Sequence, residues 1–277
     1  MWTARTGYSV LVLLVAAGLW LAWAALSGLP MPPGGMTPQQ KETISVTHKP
    51  DICEEITFGG ARAILCVVDP RTQRIALAYR GPDGQPYGSV PNYVAAMADK
   101  DRTPVLAMNA GMYHADMLPV GLYAEDGKEL SPLNTDDDFG NFFLKPNGVF
   151  FLRADGSAGV METMAYAEAR IIPAYATQSG PMLVIDGAIH PRFLPDGTTR
   201  YIRNGVGVRD DGKVALVITR DPVNLGSFAR LFRDVANCPN ALFFDGGVSS
   251  LFWGEDMEID SGEPAGPIVA VFEKVDD

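Results

Sequence analysis

Asn240-Ala-Leu-Phe-Phe-Asp-Gly-Gly-Val-Ser-Ser-Leu251 joins an apolar run to one acid, two glycines and two hydroxyls. Leu242, Phe243 and Phe244 leave no solvent face, so they read as a short buried strand, and Asp245-Gly246-Gly247 reads as the turn that ends it. Just upstream, Phe228, Leu231, Phe232 and Val235 fall at i, i+3, i+4 and i+7. That spacing predicts a helix over 227–236, capped by Ser227 or Asn224. Residues 214–219 before it form another apolar, β-branched run. Strand, helix, strand resembles a βαβ crossover, which would set Asp245 at a strand's carboxyl end beside Arg220. A carboxylate there, next to glycine amides, suits catalysis, whereas an isolated Asp-Gly-Gly is more often a hairpin turn.

Outward from this segment the chain is dominated by short β-like runs, among them 62–68, 75–79, 105–108, 121–123, 148–152, 181–185, 205–209 and 268–272. One further helix is expected over 90–98, with Ser89 as cap and Pro91 in its first turn. No internal repeat is visible, which disfavours solenoids and propellers. The fold class expected is α+β (mixed α/β), a single domain with a mainly β mixed-sheet core and few helices.

The 277 residues, 47% hydrophobic and 20% charged, have ordinary globular composition. Residues 8–26 carry no charge and follow Arg5, so residues 1–28 read as an export signal or a membrane anchor. Ala22-Trp23-Ala24 has the form of a cleavage site, but the length of the run and its tryptophans favour an uncleaved anchor. Residues 29–42, rich in proline and glycine, form a tether, and 43–277 are expected to be the folded domain. That domain would lie outside the cytoplasm, in the periplasm or at the cell surface. Residues 52–58 and 61–68 alternate as two strands around Gly59-Gly60, a favoured two-residue hairpin turn. In that register Cys53 faces Cys66, and an oxidising compartment would join them in a disulfide, leaving Cys238 as a buried odd thiol.

A net charge of −11 argues against nucleic acid as a partner. Between residues 192 and 233, however, seven arginines and Lys213 face four aspartates, enough local positive charge for an anion site. The three histidines and three cysteines are scattered, with no zinc spacing, and the run Asp136-Asp137-Asp138 lacks the spacing of a calcium loop. No cofactor and no metal ligands are expected.

Four other segments share the character of the first, a buried strand running into Gly, Asn, Ser or Lys. They are Met108-Asn-Ala-Gly-Met-Tyr-His114, Gly140-Asn-Phe-Phe-Leu-Lys-Pro-Asn-Gly-Val-Phe150, Ala176-Thr-Gln-Ser-Gly-Pro-Met-Leu183 and Arg203-Asn-Gly-Val-Gly-Val208. Each alone could be a turn. In this order, together with the segment at 240–251 and Pro-Val-Gly-Leu at 119–122, they resemble the phosphodiester glycosidase family, in its bacterial exported branch, over roughly residues 51–272.

That resemblance implies hydrolysis of a sugar-1-phosphodiester in envelope or extracellular glycans, releasing the sugar and leaving a phosphomonoester. Cleaving the anomeric C–O bond creates oxocarbenium character, which a carboxylate can stabilise or capture, and Asp245 is the candidate. Arg203 could bind phosphate bidentately and Lys145 could add a point charge. Asn109 is grouped with Asp245 and Arg203 as catalytic, and Asn147, Gln178 and Ser179 could bond sugar hydroxyls or phosphate oxygens. Gly246 and Gly247 offer an amide nest, and His114 could move a proton or contact substrate. Ser249 and Ser250 read as supports. Three other readings compete: a non-catalytic carbohydrate-binding envelope protein, a metal-dependent phosphodiesterase, and a serine hydrolase, whose nucleophile elbow fails where Leu251 replaces its last glycine.

Overall fold

The computed structural model describes residues 50–98, 100, 102–194 and 196–274. The expected signal or anchor at 1–28 and the tether at 29–42 lie outside the described residues.

β1 (Cys53–Phe58) and β2 (Ala61–Val68) form an antiparallel hairpin whose turn, Gly59-Gly60, takes positive φ at both residues. The register sets Cys53 opposite Cys66, and a disulfide joins them with Cα atoms 3.9 Å apart. β2 begins a run of antiparallel neighbours: β13 (Val214–Thr219), β12 (Asn204–Val208), β14 (Asn240–Phe243), β10 (Met182–Ile185) and β11 (Ala188–Ile189). Since β13 and β14 both run antiparallel to β12, they are parallel to each other, and α3 (Leu225–Asp234) crosses between them. The expected crossover is therefore present, but its two strands are not neighbours. β12 can lie between them under α3 because it carries glycines. A Cβ on Gly205 would come within 2.6 Å of the Leu242 carbonyl oxygen, and one on Gly207 within 2.7 Å of Cys238 Sγ.

A second sheet orders β16 (Asp256–Ile259), β15 (Leu251–Trp253), β4 (Leu106–Asn109), β17 (Ile268–Glu273) and β3 (Gln73–Ala78). A third orders β6 (Lys128–Ser131), β5 (Tyr123–Glu125), β9 (Tyr175–Ser179), β7 (Gly148–Leu152) and β8 (Ala158–Glu162). Side chains alternate along each strand, so each sheet has two faces to cover. One face of every sheet meets in a shared core, with Leu216 and Phe244 from the first, Met108 and Val269 from the second, and Tyr123 and Phe150 from the third.

The opposite faces each take a helix. α1 (Val90–Ala98) lays Val90 and Tyr93 on the second sheet, and α2 (Thr163–Ala169) lays Tyr166 on the third. α3 packs Phe228 and Phe232 on the first, each burial contributing about 1.5–3 kcal/mol. The class is α+β and mainly β, as read from the sequence. α3 starts two residues earlier than its apolar spacing predicts, because Asn224 Oδ1 accepts the Ser227 amide at 2.7 Å. α2 has no conventional cap signal; the Glu162 carboxylate accepts the amides of Met164 and Ala165 at 2.8 and 2.9 Å.

Candidate active site

Asp245 follows β14 at the end of the first sheet and caps a 3-10 turn over Gly246–Val248, where its Oδ1 accepts the Gly247 amide at 3.2 Å. Its backbone is clamped from the second sheet. The Asp245 amide donates to the Ala110 carbonyl at 3.1 Å, and Asn109 Nδ2 donates to the Asp245 carbonyl at 2.8 Å. Asn109 Oδ1 in turn accepts the Ser250 amide at 2.9 Å and Asn204 Nδ2 at 3.0 Å. Ser249 Oγ donates to Asn204 Oδ1, and Ser250 Oγ to the Val248 carbonyl, each at 3.1 Å. Asn109, Asn204, Ser249 and Ser250 are all buried. They form a satisfied polar network that fixes the Asp245 loop between two sheets.

The Asp245 carboxyl itself is half-buried, and no cation pairs with it among the described residues. Burial holds it above the ordinary carboxylate range, with the Gly247 amide pulling partly the other way. Tyr113 lies close enough to feel its charge. Its phenol, which donates to the Pro264 carbonyl, is pushed up to about 12, by burial first and then by Asp245 and Glu263.

Arg203 stands at the same end of the sheet. β12 pairs Gly205 with Phe243, and the Phe244 amide donates to the Asn204 carbonyl at 3.1 Å, so Arg203 has its backbone at the sheet end from which Asp245 departs. Its side chain is only 3% exposed, with the guanidinium 5.3 Å from the Phe243 ring centre and Nε donating to the Val223 carbonyl at 2.8 Å. Burial pulls its pKa down to about 10, and no carboxylate lies within ion-pair distance among the described residues. A buried cation without a counter-ion is costly, and an anion arriving from solvent would relieve that cost. Arg220, expected beside Asp245, is instead taken by Glu55 at 2.7 Å and by Glu258.

Asn147 and Gln178 belong to a neighbouring network. Thr163 Oγ1 donates to Asn147 Oδ1 at 2.8 Å and accepts from Gln178 Nε2 at 3.2 Å, while Asn147 Nδ2 donates to the Phe142 carbonyl at 2.9 Å. Gln178 Oε1 also accepts the amides of Leu122 and Asn134, and its Nε2 donates to the Asn134 carbonyl, which leaves Gln178 no polar group for a ligand. Both side chains brace loops from behind. Ser179 is fully buried, and its hydroxyl has no hydrogen-bond partner among the described residues.

Gly111, next to the Ala110 that holds the Asp245 amide, packs closely on β9, where a Cβ would come within 2.2 Å of Thr177 Oγ1. Lys145 is bound to Asp137 at 2.6 Å and to the Thr135 carbonyl at 2.8 Å, and His114 is exposed on a turn closed by its own backbone amide to Leu118. Geometry thus unites Asp245, Gly246, Gly247 and Asn109, with Arg203 at the same sheet end, and ties Lys145 into an ion pair. Asn204 and Tyr113 were not singled out from the sequence, although both stand inside the quoted segments. Among the described residues, no group of three or more His, Cys, Asp or Glu side chains is placed to hold a metal ion.

The phosphodiester glycosidase family profile matches residues 102–271. Uncharacterized protein YigE of Escherichia coli K12 is 32% identical over 185 residues, covering 67% of this chain and 72% of its own. The catalytic domain of zebrafish N-acetylglucosamine-1-phosphodiester alpha-N-acetylglucosaminidase, solved auto-inhibited by its pro-peptide, superposes with a TM-score of 0.58 at 16% identity, covering 80% of this chain and 82% of that one. A hypothetical protein from Synechocystis superposes at 0.51 with 13% identity, over 80% of this chain and 61% of its own. The chain belongs to the phosphodiester glycosidase family, whose function is of the glycosidase type.

Proposed function

We propose that this domain hydrolyses a sugar-1-phosphodiester, releasing the sugar and leaving a phosphomonoester on the other partner. The observation that carries the reading is a half-buried carboxylate at Asp245 and a buried guanidinium at Arg203 on one sheet end, neither in an ion pair among the described residues. In the ionised form Asp245 faces the anomeric carbon and stabilises or captures the developing oxocarbenium ion. Arg203 receives the phosphate oxygens, and Gly246 and Gly247 add backbone amides near the developing charge. A phosphate monoester leaves more readily than a sugar alkoxide, so the arrangement needs no strong general acid. Asn109 acts through Asp245, whose carbonyl it holds.

The Cys53–Cys66 disulfide supports an oxidising compartment, and with the apolar segment at 8–26 it favours an exported domain held at the membrane by that segment. The natural substrate would then be a phosphodiester-linked glycan of the envelope. The bond named in the zebrafish protein, an N-acetylglucosamine-1-phosphodiester, is the first to test. The full chain incubated with that diester, p-nitrophenyl phosphate and a p-nitrophenyl ester should release N-acetylglucosamine alone. Binding of the diester without turnover would favour a carbohydrate-binding protein, and cleavage of the phosphate–aglycone bond would favour a phosphodiesterase.

A further inference from the structure

A groove of about 910 Å³ opens where β3 and β17 of the second sheet approach the ends of β5 and β9 in the third. None of the residues around Asp245 lines it. Ala76 and Ala78 make its floor, and their small side chains give it depth. Tyr87, Tyr93 and Tyr175 contribute rings to its walls. These rings are held in place: Tyr87 packs edge-on against Tyr93 with centroids 5.0 Å apart, and the Tyr175 hydroxyl donates to Asp126.

The charged lining is mostly planar groups and is balanced in sign. Arg74, Arg102 and Lys274 are matched by Glu125, Asp126 and Glu273, so among the described residues the lining carries no net charge with which to select a phosphate, a nucleotide or a cation. The Arg74 guanidinium lies 4.2 Å from the Phe272 ring centre, and Glu125 accepts the Tyr123 hydroxyl at 2.8 Å, so both planar groups are also oriented. Rigid aromatic faces beside carboxylates and a guanidinium suit pyranose rings. The C–H face of a sugar stacks on a tyrosine, and neighbouring hydroxyls bridge the two atoms of a planar charged group. A volume in the upper part of the range for ligand pockets holds several such rings.

We infer that this groove binds an uncharged stretch of oligosaccharide, at a site separate from Asp245 and independent of any turnover there. Calorimetric titration of the full chain with chitohexaose, cellohexaose and maltohexaose tests it. At least one hexamer should bind saturably, Tyr87→Ala and Tyr175→Ala should each weaken it about tenfold, and Tyr87→Phe and Asp245→Asn should leave it unchanged. The inference is overturned if none of the three binds at millimolar concentration, if binding survives both alanine substitutions, or if Asp245→Asn abolishes it. Should the alanine variants fail to fold, hydrogen exchange on the unaltered chain decides. Protection by the hexamer over 87–93 and 172–178 supports the groove, and protection confined to 240–250 refutes it.

Discussion

Asn109 donates its side-chain amide to the backbone carbonyl of Asp245, tying the last residue of β4 in the second sheet to the second residue beyond β14 in the first. Replacing Asn109 by alanine strands that carbonyl and the Ser250 amide, at about 1–3 kcal/mol for each unpaired group, while Asn204 keeps its bond to the Asn109 backbone carbonyl. The expected result is a lower Tm and a fall in kcat with little change in KM, because the carboxylate is displaced while the phosphate pocket persists. An unaltered kcat in a folded Asn109→Ala chain would separate Asn109 from catalysis.

Asp245→Asn should lower kcat/KM by about 10³-fold or more while leaving the turn intact, since an amide oxygen still accepts from Gly247. The unsubstituted enzyme should lose activity on acidification with a midpoint above the ordinary aspartate value of about 3.9, because burial raises this carboxyl and only its ionised form acts. Stability runs the other way. A carboxyl that holds its proton more tightly folded than unfolded costs stability as pH rises from the unfolded value through the folded one. Asp245→Asn should therefore raise Tm at pH 7, and the gain should vanish below about pH 4.

Arg203→Met removes a buried cation that has no counter-ion among the described residues, so the folded state should be as stable or more stable. Activity should still fall by roughly 10²-fold, and inhibition by inorganic phosphate should weaken in parallel. Arg203→Lys should recover little of either, as an ammonium cannot fork across two phosphate oxygens. Phosphate inhibition that persists in both variants would move the anion site elsewhere.

Opening the Cys53–Cys66 bridge, by reductant or by Cys53→Ser with Cys66→Ser, releases a loop with a sequence separation of 13 and should cost about 3 kcal/mol. Thermal denaturation with and without reductant measures this, and the difference should vanish in the serine pair. Turnover at low temperature should be unaffected, because the hairpin does not touch Asp245.

What could be read from the sequence was what periodicity and turn chemistry encode locally. The Gly59-Gly60 hairpin, the buried strand before Asp245 and the apolar face of α3 all follow from spacing within one segment. What could not be read was placement across segments. β12 comes between β13 and β14 through glycines whose value depends on an overlying helix. Asn147 and Gln178 have ligand-binding residue types, yet Asn147 is taken by the Phe142 carbonyl and the Thr163 hydroxyl, and Gln178 by a loop 44 residues away at Asn134. Lys145 finds Asp137 in the acidic run that lacks calcium-loop spacing. The same limit hid Asn204 and Tyr113, whose proximity to Asp245 arises only once separate strands are brought together.

β1, β2 and β3 precede the segment 102–271 that the family profile matches. β2 is nevertheless the hydrogen-bonded neighbour of β13, and β3 of β17, while Ile64, Val68, Ile75 and Leu77 are part of the shared core. A fragment cut at residue 102 would carry every group around Asp245 and expose two raw strand edges together with the apolar surface they cover, a combination that invites aggregation. The folding unit is thus larger than the chemical unit, and a minimal active fragment has to begin before Cys53.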